Sequence, residues 1–276
     1  MTLKKYRYYS ASLFSTCILA MPLLCYGSSL TSSNTHSINR EGAININAID
    51  WCPQLCDHQD QQGYVMDTVN AVFIDSPYYI VSTTYPWSRA IQGVFEGKSL
   101  ALLSPAKSEA PGLRFPNNPI GVQRMCFFAN RSSSWQYDGL ESLEGLRIGI
   151  AYDTSIAELN DYVTHNKGQF SFFPYDDDFI TRNLNMVKQE RLDTFLFTYN
   201  STMYTIAQLG MGEEIKSAGC VSAEAIYMAF SPDPEQAEKV DKLIEYFDTK
   251  MGELRKTDAI DTIMKKYGLV DWQPYL

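Results

Sequence analysis

The sequence predicts an α/β protein built as two αβ units on a mostly parallel sheet. Three observations predict it. Strand and helix patterns alternate along the chain, the arrangement a parallel sheet requires. The stretch "PGLRFPNNP" at 111–119 has three prolines, continues neither pattern and divides the alternation in two. Finally, an extended segment stands at each border of the second unit, "GVQRMCFFAN" and "EAIYMAFS". The expected organisation is one lobe of residues 43–120 plus 227–276 and a second of residues 121–226, with two crossings near 121–125 and 222–226.

Each element has its own signal. "AININAIDW" alternates as a strand and stops at a cysteine loop, "DWCPQLCD". "GYVMDTVNAVFID" puts Val65, Met66, Val69, Val72 and Phe73 on one helical face. A strand, "YYIVSTTY", precedes a short helix in which Ala90, Ile91, Val94 and Phe95 recur at helical spacing and Gly97 suits the left-handed residue beyond the end. "SLALLS" reads as a buried strand. After the proline break, "LRIGIAY" is a strand and "TSIAELNDYV" a helix whose Ser155 and Glu158 have capping-box spacing. "TRNLNMVKQE" is a helix and "LDTFLFT" a strand. Past the second border, "DPEQAEKVDKLIEYFDTKMGEL" carries apolar residues at 237, 240, 244, 247, 251 and 254, and a last helix runs to "IMKKYGL".

Residues 1–27 read as a secretory signal peptide, with Lys4, Lys5 and Arg7, then an apolar stretch at 11–24, then small residues. The apolar part is too short for a membrane anchor, and Leu24 disfavours a lipidated Cys25. Residues 28–42, rich in Ser, Thr and Asn, are expected to form a flexible leader. Cleavage removes three of the 23 basic residues and none of the 32 acidic ones, leaving a net charge of 20 − 32 = −12. So acidic a surface repels phosphate backbones and excludes nucleic acid as a partner. Cys17 and Cys25 leave with the signal. The remaining four cysteines allow three pairings; in an oxidising compartment the expected bridges are Cys52–Cys56 and Cys126–Cys220, the alternative being buried free thiols at 126 and 220.

The order "DWCP", "GYVMDTVNAVF", "YPWSRAIQGVFEGK", "SLEGLRIGIAYDTS", "QERLDTFLF", "IYMAFSPD" and "IMKKYGL" resembles the family 3 extracellular solute-binding proteins, the periplasmic receptors of polar amino-acid ABC importers. The likeness spans residues 43–270. It implies a two-lobed periplasmic binding protein type II fold, joined by two hinge strands and closing over a small-molecule ligand. It also implies a periplasmic monomer without a cofactor, serving an ABC permease or a membrane sensor. Two departures stand out. Ala110 occupies the place of the arginine that holds a ligand α-carboxylate in such receptors, and Thr198 or Tyr199 the place of the aspartate that holds the α-ammonium.

The candidate ligand-binding residues are those at strand tips and helix starts that would border one cleft, because ligands in such sheets bind beyond the carboxyl ends of strands. They are Asp50 and Trp51; Trp87 and Arg89; Ser104 and Lys107; Tyr152, Asp153, Thr154 and Ser155; and Thr198 and Tyr199. A cation in the first turn of a helix faces the positive end of the macrodipole. Arg89 therefore needs a partner: an anionic ligand, or a carboxylate such as Asp50. Lys107 stands in for the missing arginine or is simply solvated, and Ser155 is expected to cap its helix. The run Asp176–Asp178 reads as a solvated turn, because successive carboxylates point different ways. His36, His58 and His165 lack triad or metal-ligand company, and no hydrolase, metalloprotease or phosphate-loop motif occurs. The reading is a receptor for a small polar, anionic or amino-acid-like solute. The alternatives are a ligand sensor, or an enzyme using Asp50, Asp153 or Lys107 as acid or base.

Overall fold

A computed structural model describes residues 42–57, 61–152 and 157–276. The signal peptide and leader readings and the Ser155–Glu158 capping box lie outside the described residues and side chains. So do Asp153, Thr154 and Ser155.

The elements follow the αβ alternation. The first half comprises β1 (Gly42–Ala48), α1 (Tyr64–Phe73), β2 (Tyr78–Thr84), α2 (Trp87–Phe95) and β3 (Ala101–Ala106). Then come β4 (Gly121–Asn130), β5 (Ile148–Ala151), α3 (Ala157–His165), β6 (Phe170–Phe173), α4 (Phe179–Lys188), β7 (Thr194–Thr198) and α5 (Tyr199–Gln208). The long β8 (Ile215–Phe230) leads back to α6 (Ala237–Leu254) and α7 (Ala259–Lys265). Gly97 has φ +72, as the helix-end reading requires.

The eight strands among the described residues join one mixed sheet in the order β2-β1-β3-β8-β4-β7-β5-β6. β1, β2 and β3 are mutually parallel, as are β5, β6 and β7. β8 and β4 run antiparallel to each other and to the strands they border. β3 pairs with β8 only as far as Ala106 opposite Ile226, and β7 meets β4 only from Thr198 opposite Met125. Between those points residues 122–124 and 223–225 pair solely with each other. The sheet narrows there to a two-stranded ribbon.

The apolar side chains sort around that ribbon. One core gathers Ile44, Ile46, Tyr64, Val69, Leu103, Val122, Met228, Phe247, Ile260 and Trp272, and a smaller one packs α2 against β3 through Ala90, Val94, Leu102 and Ala229. Beyond the ribbon, Phe128, Phe179, Leu184, Phe195 and Ile206 pack on one face of the sheet, and Phe127, Ile148, Leu159 and Leu196 on the other. Both expected disulfides are present, Cys52–Cys56 and Cys126–Cys220. The first pins the loop after β1; the second ties β4 to β8 just past the ribbon.

The structure corrects the element reading at three places. Helix α5 and strand β6 were not expected, and β8 begins at Ile215, nine residues before the extended segment read from "EAIYMAFS". "YNSTMYTIAQ" has no apolar stripe, because its Asn200, Ser201 and Thr202 are buried in place of aliphatic residues. "FSFF" is only four residues long. The amino end of β8, "IKSAGCVS", mixes glycine and polar residues on a half-buried ladder.

Candidate functional site

The pairing register places the site. β1, β2 and β3 run toward the ribbon and end at it, and β7, with β5 and β6, runs toward it from the other side. The carboxyl ends of Ala106 and Thr198 are thus separated by the four steps from residue 121 to 125, about 13 Å at ~3.3 Å per residue. Two sets of parallel strands present their carboxyl ends to one short stretch of the ribbon, the position where open α/β sheets bind ligands.

From the first half, the end of β1 supplies Asp50 and Trp51. Asp50 is exposed and accepts the Asp57 N–H at 3.1 Å. Trp51 is half-buried and its indole N–H is buried without a partner, as is the Gln54 amide nitrogen in the same disulfide-bound loop. The end of β3 supplies Ser104, 2 % exposed, with φ +68 and an unpartnered hydroxyl. A non-glycine residue in that conformation carries strain of order 1–3 kcal/mol. The pairing of β3 with β8 is irregular between Leu103 and Ala106. Just beyond, the Ala106 N–H donates to Glu109 at 2.8 Å and the Ser108 hydroxyl to Glu224 at 2.7 Å. Desolvation, with Glu224 adding to it, pushes the Glu109 carboxyl above its ordinary value. Lys107 is exposed, its ammonium 4.8 Å from the Tyr227 ring centroid.

Trp87 and Arg89 sit on α2 at the flank. Trp87 is half-buried against the α2 core. Arg89 is exposed with its guanidinium 5.2 Å from the Tyr85 ring centroid, and lines a pocket with Asn47, Gln92, Glu96, Lys98 and Ser99. No ion pair joins it to Asp50, nor to any carboxylate among the described residues. At the helix tip Arg89 lies on an aromatic face, which a cation can occupy without a counter-charge.

From the second half, Tyr152 at the end of β5 is 56 % exposed and stacks on Phe172 at 5.9 Å. At the end of β7, Thr198 is 3 % exposed, begins α5 and has an unpartnered hydroxyl; no side chain caps that helix. Half-buried Tyr199 lies 3.7 Å beneath the Arg124 guanidinium, whose other face is covered by Tyr275 at 3.6 Å. As expected, Asp176 lies in a turn, paired at 3.1 Å with Arg182.

Several residues that bridge the gap carried no signal in the sequence. Asn200 donates to the Tyr64 hydroxyl at 3.0 Å and Tyr204 donates to Gln61 at 3.3 Å, joining α5 to the start of α1. Tyr175, after β6, is pushed above the ordinary tyrosine range by desolvation beside Phe179 and Phe197, and then by Asp50 and Asp177, so the field of Asp50 reaches across the gap. Gln123 on the ribbon has a buried, unpartnered carbonyl. No cluster of three metal-ligating side chains occurs among the described residues.

Solved structures share this architecture. The L-cystine solute receptor of Neisseria gonorrhoeae, unliganded and open, is 13 % identical with TM-score 0.65, over 85 % of this chain and 96 % of its own. A histidine kinase sensor domain with similarity to periplasmic binding proteins is 18 % identical with TM-score 0.56, over 83 % and 97 %. A structure from work on glutathione import through GshT and the cystine ABC importer TcyBC of Streptococcus mutans is 14 % identical with TM-score 0.63, over 84 % and 97 %. The fold is the periplasmic binding protein type II fold, and its structural neighbours are solute-binding proteins of amino-acid ABC transporters. No family model matches the sequence, and no curated protein matches it significantly.

Proposed function

We propose that this chain is a periplasmic receptor whose two lobes, residues 43–120 with 227–276 and residues 121–226, close on a small polar solute for delivery to an ABC permease. The observation that carries the reading is the gap itself: two sets of strand carboxyl ends aimed at one two-stranded ribbon. A ribbon with only two ladder partners absorbs a rigid-body rotation with little loss of packing, the hinge mode of domain closure. Three buried polar groups around the gap, the Ser104 and Thr198 hydroxyls and the Trp51 indole N–H, have no partner among the described residues. Buried groups of this kind are costly to leave unmade, and a bound solute would satisfy them. Asp50, Trp51, Ser104, Lys107, Tyr152 to Ser155, Thr198 and Tyr199 form the proposed binding set, with Trp87 and Arg89 at its rim. The ligand is anionic or amino-acid-like, and the receptor works without a cofactor and as a monomer.

A thermal-shift screen of amino acids, organic acids, amines and short peptides tests the reading. A ligand at 100 times its dissociation constant adds about 2.7 kcal/mol of stability. The same ligand should lower the radius of gyration in small-angle scattering. An unchanged radius at saturation would reject closure.

A second reading is that the receptor reports its ligand to a membrane kinase, for which the sensor-domain neighbour is the supporting observation. Ligand-dependent stimulation of a partner kinase in reconstituted membranes separates it from transport.

A further inference from the structure

We propose that the amino end of α5 is an acid-binding subsite, the place where a carboxylate of the solute is held. This rests on the receptor reading above and names the ligand class. Helix α5 is ten residues long and starts at the gap, where the positive end of its dipole is met by no acidic residue in the first turn and by no side-chain cap. Around this helix start three hydroxyls have no partner: Thr198, Ser201 and Thr202, each at most 3 % exposed. A buried hydroxyl can donate to an incoming oxygen, and three around one helix start leave donors with nothing in the protein to receive them.

The local charge points the same way. Arg124 lies over the ring of Tyr199, the first residue of α5, and among the described residues it forms no ion pair, only its two ring contacts. A cation beside the positive end of a helix is unfavourable until an anion arrives. Arg124 reaches the helix start through the Tyr199 ring, so it contributes field rather than a hydrogen bond. The α5 start thus joins a helix dipole, three unpartnered hydroxyls and a nearby cation with no ion pair among the described residues. Because the hydroxyls are shielded, a solute reaches them only as the gap widens, which is the closure motion run backward.

The test uses succinate, L-glutamate and N-acetylglycine as acid probes and putrescine as the cationic probe, with the chain from residue 28 onward. At least one acid should raise the melting temperature of the wild type, and putrescine should not. Thr198→Val should weaken that acid roughly 10-fold in calorimetry, the scale of one charge-assisted hydrogen bond. Arg124→Gln should weaken it less and with a smaller salt dependence. Thr198→Asp, with circular dichroism verifying its fold, should abolish it. Binding of putrescine with closure, strengthened by Thr198→Asp, would keep the receptor reading and overturn the subsite. Unchanged acid affinity in Thr198→Val would overturn it too. If no probe of either class binds, the subsite is overturned, and the receptor reading is decided by the wider screen above.

Discussion

Ser104 shows what one residue can be made to hold. Its φ of +68 suits glycine, and its hydroxyl is buried with no partner. Both features cost stability in the empty protein. Ser104→Gly should therefore raise the unliganded melting temperature by a few degrees, since ~1 kcal/mol corresponds to about 2–4 °C in a chain of this size, while a solute that uses the hydroxyl binds about 10-fold more weakly. A scan that shows Ser104→Gly less stable would mean the hydroxyl has a role in the fold. Arg89 makes the opposite case. It is exposed and its guanidinium lies over the Tyr85 ring, so Arg89→Ala should leave the melting temperature within about 1–2 °C, the effect of an exposed cation–ring contact.

At the scale of elements, the start of α1 is packed closely against the cysteine loop. Gly63 has φ +93, and a Cβ there would lie 2.3 Å from the Gln54 carbonyl oxygen and 2.7 Å from the Leu55 Cα, all backbone. Gly63→Ala should cost about 2–4 kcal/mol, read as a lower urea midpoint with unchanged slope. The elements also show where sequence was informative. α1 and α6 announce themselves because their buried residues, such as Val65, Val69, Val72 and Leu243, Phe247, Met251, are apolar at helical spacing. Helix α5 does not, because it buries hydroxyls and an amide instead. The four expected strand tips, at Trp51, Ser104, Tyr152 and Thr198, all lie at or near strand carboxyl ends, since chain direction follows from the αβ alternation. What could not be read was cross-gap geometry. The Asn200–Tyr64 bond spans 136 residues, and the Arg124 sandwich joins three segments far apart in the chain; neither leaves a periodic trace.

For the whole molecule, the buried tyrosines set an alkaline limit. Burial raises Tyr64 well above the ordinary tyrosine value, and pushes Tyr267 up to about 12 with help from Asp67. A phenol whose folded value is raised contributes stability that is intact below the unfolded value near 10 and is lost as pH rises toward the folded value. Urea midpoints should hold steady between pH 7 and 9 and fall above 10. Each tyrosine that ionises only on unfolding removes about 1.4 kcal/mol per pH unit. A midpoint flat to pH 12 would contradict the burial of these two phenols.

The bridge between Cys126 and Cys220 spans 94 residues of sequence and closes the whole segment between them into a covalent ring. One cut by a protease in that segment, for instance in the exposed turn at Asp176–Asp178, opens the ring but frees no fragment. The nicked chain should run at full length on a non-reducing gel and as two pieces after dithiothreitol. The segment between these cysteines can thus survive a severed backbone with both ends still anchored at the ribbon, a tolerance to damage that the small loop closed by Cys52–Cys56, a bridge of four residues, does not extend to the first half.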